Sequence, residues 1–575
     1  MGIRFLLRTR CRDLGRAGKA NRAHFEKRII GPEKSMGNEK RSPNREPCKT
    51  TPIICKKTDP VPLGTGSRCI INIKRKKLGL VLQPAKQLTA SFHAELYKLI
   101  PEDHPLCKIN EVVDFTFIHD LVRSSYCEYY GRPANEPELL FRLLFLQVLY
   151  NLSDERMIQE AQVNLAYKWF IGLNPEDTLP APSQLSRFRN HRLGAAGVDE
   201  VLRSVVRQCI EKGLVKSKTI IMDSTHTLAA SQKQKPLGVL RDAAKRLFRV
   251  VVKKHSKLEK KLPRMPVIKK EQENAEKVML HYLAELGEAV ETLIPDHEGS
   301  ISEKLQIAKR IVEDERLLSQ KGILSAIDPD ARFGWKSYTK SFFGYKEHIA
   351  MTEEEIITAV EVTGGSSDDG KQFKELLSQT LSTGIEVHEI IADTAYSGKD
   401  NLAEMKSKKI QPVVPLNPVV HNGGSRQEGF TYNKDADFVI CPAGQNSVRK
   451  AVQGSKKSGD SRSLVFYFDI HKCTACPLKE GCLKPGAKNK TYSFRIIAEH
   501  YKEHIEFENS EVFQERIRRR PIIEHKNAEL KRYHGLTRAK YRGLFRMQIQ
   551  AILTAFTVNV KRMIKLQTKM EATSA

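Results

Sequence analysis

Residues 520 to 531 read Arg-Pro-Ile-Ile-Glu-His-Lys-Asn-Ala-Glu-Leu-Lys. Wound as an α-helix at about 100° per residue, they set Arg520, Glu524 and Lys531 at roughly 0°, 40° and 20°, on one face, with Glu529 about 140° from Glu524. A carboxylate held between two cations stays ionised and can bind a divalent metal, while the cations meet an anion such as a phosphodiester. The same residues also make an ordinary solvated charge face, and a metal site needs more than one carboxylate.

Further carboxylates stand at the ends of short apolar runs. Thr219-Ile-Ile-Met222 has the β-branched, apolar character of a buried strand and delivers Asp223 at its C-terminal end. His388-Glu-Ile-Ile-Ala is a second such run and ends at Asp393. A turn or capping role suits Asp223 as well when it is taken alone. Together with Glu524 they form the ordered set Asp223, Asp393, Glu524. Asp328, Asp330, Asp368, Asp369 and Glu529 are the rival acids, expected in loops or on the wrong helix face.

The elements that must carry these groups follow from periodicity. Between Leu96 and about Leu193, Val113, Phe117, Leu121 and then Leu139, Leu143, Leu144, Val148, Leu149 recur at helical spacing, broken by Pro133, Pro137, Pro175 and Pro182. The block closes on Pro182-Ser-Gln-Leu-Ser-Arg-Phe-Arg-Asn-His-Arg. A helix starting there offers Arg187, Arg189 and Asn190 to a DNA major groove, or merely to solvent.

Residues 232–325 read as a charged helical insertion around a hairpin. Its stripes are Met279, Leu283, Leu286, Val290, Leu293 and Leu305, Ala308, Ile311, Val312. Strands are expected at Tyr345 to Met351 and Ile356 to Val362, joined by the acidic turn Thr352 to Glu355, and a helix at Lys371 to Leu381. Strands mixed with helices imply an α/β fold, a mixed sheet flanked by helices. The 131 residues from Asp393 to Glu524 exceed any loop and imply an inserted subdomain. Cys441, Cys473, Cys476 and Cys482 lie in it, a set that fits either a structural Zn²⁺ or free thiols. After Lys531, the stripe Phe545, Ile549, Ile552, Phe556, Val560, Met563 marks a long helix packed on the sheet.

The expected organisation is therefore a basic extension over 1–85, a helical, DNA-binding block over 90–205, and a core over 215–400 interrupted at 232–325. A cysteine-bearing insertion over 401–512 and C-terminal helices over 513–566 complete it. Net charge is +28 with a pI near 9.5, which points to a polyanionic partner. The first 80 residues hold 21 Lys and Arg against 6 Asp and Glu, so +15 of that charge sits outside the folded part. That extension reads as a non-folding arm, a transit-like segment or an over-extended start. No apolar run approaches the roughly 18 residues a membrane helix needs, and the cysteine usage suits a reducing cytosol.

With the three carboxylates placed, the chain resembles bacterial insertion-sequence transposases of the DDE class, in the group with a YREK signature around the catalytic Glu. Arg520, Glu524 and Lys531 match that signature, and Ile517 stands where it has Tyr. Asp393-Thr-Ala-Tyr396 matches the signature of the second Asp. Asp330-Ala-Arg-Phe-Gly-Trp-Lys, the cysteine spacing and the helical block at 96–193 also resemble the group. The likeness spans roughly 90 to 566.

It implies an RNase H-like core, Mg²⁺ or Mn²⁺ held by Asp223, Asp393 and Glu524, cleavage at transposon ends and strand transfer into target DNA. Arg520 and Lys531 are then expected on DNA, with Tyr396 stacked or packed beside Asp393. Two ends handled together imply a homodimer on double-stranded DNA, in the bacterial cytoplasm at the nucleoid. The chemistry agrees, since oxygen ligands suit these ions and two of them about 4 Å apart can serve both the attacking and the leaving oxygen. A DNA-binding relic without catalysis, or a nuclease of the same fold, would carry the same residues.

Overall fold

The structure is a computed structural model. It describes residues 92–574 apart from 128–131, 195–196, 270–271, 338–339, 417–428, 434–437, 454–462 and 496–498, so the extension expected over 1–85 lies outside the described residues.

Two helices form the centre. Helix Pro137–Leu149 is apolar on almost every side and is accordingly buried on almost every side. Pro137 opens it in the first turn, where a missing N–H leaves no bond unmade. Helix Leu544–Ser574 carries Ile549, Ile552, Phe556, Val560 and Met563, each no more than 1% exposed. Phe545, expected on the same stripe, is exposed, and its ring lies against Gly194 instead. Phe556 meets Phe115, Phe141, Phe145 and Phe117 at centroid distances of 5.2 to 6.2 Å. These aromatics belong to the helical block, which shares one continuous core with the sheet. The block expected over 90–205 is therefore packed into the same body as the sheet.

The sheet is built from β1 (Thr219–Leu228), β2 (Arg332–Ser337), β3 (Lys340–Thr352), β4 (Ile357–Gly364), β5 (Glu389–Ile391) and β6 (Gln411–Val413). Long β3 pairs antiparallel with β1 on one edge and with β2 and then β4 on the other. β5 runs parallel to β1, and β6 parallel to β5. The chain is thus α/β with a mixed sheet flanked by helices. Gly344 permits the tight approach of β3 to β1, because a Cβ there would fall 2.0 Å from the Thr227 carbonyl oxygen.

Three boundaries differ from the sequence reading. β1 continues to Leu228, which places Asp223 inside the strand, not at its end. β2 covers Arg332–Ser337, where no strand was expected before Gly334. β6 belongs to the sheet, so the cysteine-bearing insertion begins after Val413 and not at 401.

The first insertion contains three long helices, Pro236–Lys254, Ala275–Leu293 and Ser300–Val312, with a core of its own that includes Val239, Leu247, Leu283, Leu286 and Leu305. The second holds the hairpin β7 (Thr431–Asn433) and β8 (Phe438–Ile440) and the sheet β9 (Arg449–Gln453), β10 (Ser463–Phe468) and β11 (Lys490–Arg495). Among the described residues its buried core includes Val439, Phe466, Phe468 and Tyr492. Among the described residues no helix is long and apolar enough to cross a membrane.

Candidate active site

Parallel pairing brings the two aspartates together. Ile221 of β1 is in register with Ile391, the last residue of β5, and each aspartate stands two residues further along its chain. Pairing with β5 ends at Ile391, so β1 continues with β3 on one edge only and its other edge is free to receive another element. Asp393 caps the turn Thr394–Tyr396 by accepting from the Ala395 N–H at 3.0 Å.

The element on that open edge is helix Pro521–His534. Pro521 occupies its first turn with Arg520 at the N-cap position, and Gly535, at φ 75°, ends it. Both ends are tied to the sheet. Before the helix, Arg519 pairs with Glu353 at 2.6 Å and Arg516 pairs with Glu389. Beyond it, Leu228 donates to the Thr537 carbonyl at 3.0 Å, the Ala539 N–H to the Leu228 carbonyl at 2.8 Å, and the Thr227 hydroxyl to the Leu536 carbonyl at 2.6 Å. The acidic turn after β3 adds Glu355, which contacts Lys526 at 3.2 Å. The helix is thereby held along β1 with Glu524 toward Asp223.

Between the carboxylates stands Arg520. Its guanidinium lies 3.7 Å from Asp223 Oδ1 and 3.4 Å from Glu524 Oε1. Asn527 donates to the other oxygen of Asp223 at 3.2 Å. Lys531 Nζ lies 3.4 Å from His226 Nδ1, with the fully buried Glu347 of β3 as its nearest acid influence.

Charge is not balanced here. Burial pushes Asp223 up to about 6; Arg520 opposes this, while Asp393 and Glu524 reinforce it. Asp393 is raised as well, first by burial, with Asp369 adding to the rise and Arg520 and Lys346 opposing it. Lys531 is lowered by burial against the pull of Glu347. His226 is pushed down to about 4 by burial and then by Lys531, so it is neutral near pH 7. Three carboxylates with one guanidinium among them make an electron-rich, under-neutralised oxygen site. That donor set fits a hard divalent cation.

Two segments match known families. Residues 94–191 match a transposase domain (DUF772), and residues 440–564 match a transposase DDE domain. These two matches support an insertion-sequence transposase of the DDE class. No curated protein matches it. The DDE match spans Glu524 and the four cysteines but ends short of Asp393 and Asp223, so those two assignments stand on the register argument above. A transposase family implies DNA as a partner.

The transposase buries several residues that its sequence offers to DNA. Tyr396 is 0% exposed, so its ring packs beneath Asp393 and presents nothing to a DNA surface. Arg189 is 2% exposed, paired with Asp154 at 3.0 Å and lying over the Tyr541 ring. Arg189 lies in the π-helical turn Phe188–Leu193 that continues helix Pro182–Arg187, and its partners come from distant segments. Asn190 spends its amide on Ser186, and Arg187 alone of the three points outward.

Of the rival acids, Glu529 is paired with Lys526 and Lys561, Asp328 is buried against Tyr345 and the Gly543 N–H, and Asp330 pairs with Arg310. Asp368 is exposed and paired with Lys371. Asp369, beside Asp393, is held by Lys346 at 2.8 Å and His348 at 3.6 Å.

Sequence reading missed Asn527, although at about −20° from Arg520 it falls on the same helix face. It also missed His226, Glu347 and Lys346, which no spacing rule connects to Glu524. Cys441, Cys473, Cys476 and Cys482 line one cavity of about 50 Å³ in the second insertion. The Gln445 N–H donates to Cys441 Sγ at 3.3 Å and the Leu478 N–H to Cys476 Sγ at 3.4 Å.

Among the described residues, the one group of metal-ligand types whose donor atoms all lie within 4.8 Å of one another is His119, Glu136 and Glu138. Arg142 already contacts Glu138 there at 2.7 Å, which makes that group an internal charge network of the helical block.

Proposed function

We propose that this transposase cuts the phosphodiesters at the ends of its element and transfers the freed strands to target DNA, using Asp223, Asp393 and Glu524 as ligands of Mg²⁺ or Mn²⁺. The observation that carries the reading is the placing of Asp223 and Asp393, each two residues beyond the register pair Ile221 and Ile391, with Arg520 between Asp223 and Glu524. We further place its core among the RNase H-like folds, because β1, β3 and β4 run antiparallel and β5 and β6 add parallel to β1 on the other side.

Bound at the three carboxylates, a divalent ion supplies Lewis-acid polarisation of the phosphate and activation of the attacking oxygen. The chain's own groups do the rest. Arg520 is released from Asp223 and Glu524 toward the non-bridging phosphate oxygens. Asn527 fixes the orientation of the Asp223 carboxylate, and Lys531, about three turns beyond Arg520 on the same face, meets a further phosphate of the strand. Tyr396 supports Asp393 from below. Pairing of two element ends calls for a synaptic homodimer, working where the DNA is, at the nucleoid.

The test is a supercoiled plasmid bearing the parent element's ends, incubated with the full chain and Mg²⁺, Mn²⁺ or EDTA. Metal-dependent nicks at the ends, followed by joined products, are expected. Binding without cleavage under every metal condition leaves a DNA-binding relic and overturns the catalytic reading.

For the second insertion we propose a Zn²⁺ held by Cys441, Cys473, Cys476 and Cys482. Two backbone N–H groups already aimed at sulfur favour thiolates, and the four cysteines line one small cavity. Elemental analysis of purified protein should give about one zinc per chain. Metal-free protein with an unchanged melting profile sinks the idea.

A further inference from the structure

Charge in the first insertion is segregated, although its three helices share one core. Residues 241 to 264, covering most of helix Pro236–Lys254 and the turn after it, hold 10 Lys and Arg against 2 acids. Residues 275 to 312, covering the other two helices, hold 4 against 7. A surface built only for solubility mixes its signs, and like charges one turn apart cost stability. Lys245 and Arg249 are such a pair.

The basic side also has a shape. Lys245, Arg249, Lys260 and Arg264 line a groove of about 540 Å³ whose apolar lining includes Phe248 and Tyr282. Tyr282 fixes the far wall by donating its hydroxyl to the Pro263 carbonyl at 3.2 Å. All four cations are exposed, and none makes an ion pair or hydrogen bond with another described residue. Other cations of the insertion do pair: Arg246 with Asp242 at 3.0 Å, Lys309 with Glu291 at 2.5 Å and Arg310 with Asp330 at 2.6 Å. Glu259 is the single acid on the groove.

We propose that this groove is a second DNA contact of the transposase, seating the phosphate backbone of a duplex through Lys245, Arg249, Lys260 and Arg264 without reading its sequence. The inference rests on the transposase reading for its choice of DNA over other polyanions. Four converging cations without partners fit a repeating phosphodiester, and exposed ammonium and guanidinium groups carry no base-specific pattern. The insertion leaves the sheet after β1 and returns at β2, so its root is the strand that carries Asp223. DNA held there is anchored by the same body that holds the carboxylates.

The experiment compares the full chain with the quadruple variant Lys245→Ala, Arg249→Ala, Lys260→Ala, Arg264→Ala, on a duplex unrelated to the element ends, across a salt series. Each phosphate contact contributes about 0.9 to the slope of log affinity against log salt, so the slope should fall by about 3 to 4. A companion variant exchanging Lys for Arg and Arg for Lys at the same four positions should keep the wild-type slope, which separates charge from folding. An unchanged slope in the alanine variant overturns the inference while leaving the transposase intact. A wild-type chain that binds duplex with the expected slope change but never cuts keeps the groove and overturns the catalytic reading instead. A wild-type chain that binds no DNA overturns both.

Discussion

Helix Pro521–His534 carries charge on two faces that have opposite fates. On the side toward the C-terminal helix, Glu529 contacts Lys526 at 2.9 Å and Lys561 at 2.8 Å, and Glu355 joins Lys526 to Arg562. Burial there would raise Glu529, but the Lys561 and Lys526 cations override it and take the carboxyl down to about 2. On the side toward β1, Asp223 sits at about 6 although Arg520 lies beside it. One face has a cation for every carboxylate and is complete. The other gathers three carboxylates around one guanidinium, and burial keeps Asp223 raised in spite of it. The lesson is that a paired acid cluster holds a fold, whereas an acid cluster left short of charge is where an ion and a substrate belong.

The comparison breaks most easily at the carboxylates. Asp223→Asn, Asp393→Asn or Glu524→Gln should each reduce cleavage of element ends by roughly 1000-fold or more, the rate equivalent of several kcal/mol of charge stabilisation. DNA binding, read by gel shift, should stay close to wild type. A variant that still cuts at near wild-type rate removes that residue from the site.

On the paired face, Lys526→Met removes the cation, only 2% exposed, that Glu529 and Glu355 share, leaving them Lys561 and Arg562, and should cost about 2 kcal/mol in denaturant unfolding. Its cleavage at low temperature should remain. If stability barely moves, that face is not the structural one.

The pH dependence of stability should differ in sign between the faces. Asp223 has a folded pKa raised from 3.8 to about 6, so its contribution favours folding below pH 4 and is lost as pH rises through 6. In EDTA, Asp223→Asn should therefore stabilise the protein at pH 8 by about 2 to 3 kcal/mol and have little effect at pH 4. Glu529, lowered from 4.5 to about 2, contributes above pH 4.5 and loses its contribution as pH falls through 2. Melting curves of the two single variants at pH 8 should move in opposite directions, with Glu529→Gln the less stable.

The smallest effect belongs to Asn527, which orients Asp223 without holding substrate. Asn527→Leu should lower cleavage roughly 10-fold to 100-fold. It should also raise the Mg²⁺ concentration needed for half-maximal rate. An unchanged metal requirement would show that the hydrogen bond to Asp223 is incidental.

What sequence by itself determined is the set of groups and the kind of element under each. Thr219 to Met222 is a strand because β-branched, apolar residues pack best there, and 520 to 534 is a helix bounded by Pro521 and Gly535, so Arg520, Glu524 and Lys531 had to share a face. The long apolar stripe from Ile549 to Met563 likewise had to be buried. Tertiary structure decided which of those groups meet. The register of β5 on β1 sets Asp393 beside Asp223, and a strand only three residues long carries no sequence signal for its partner.

The burial of Arg189 and of Tyr396 and the pairing of Glu529 also come from packing between segments distant along the chain. Local spacing gave each of them a surface that the fold then covered. Charge balance is the last such property. It depends on the sum of fields from β1, β5, the acidic turn and the C-terminal helix, and that sum exists only once those elements are in place.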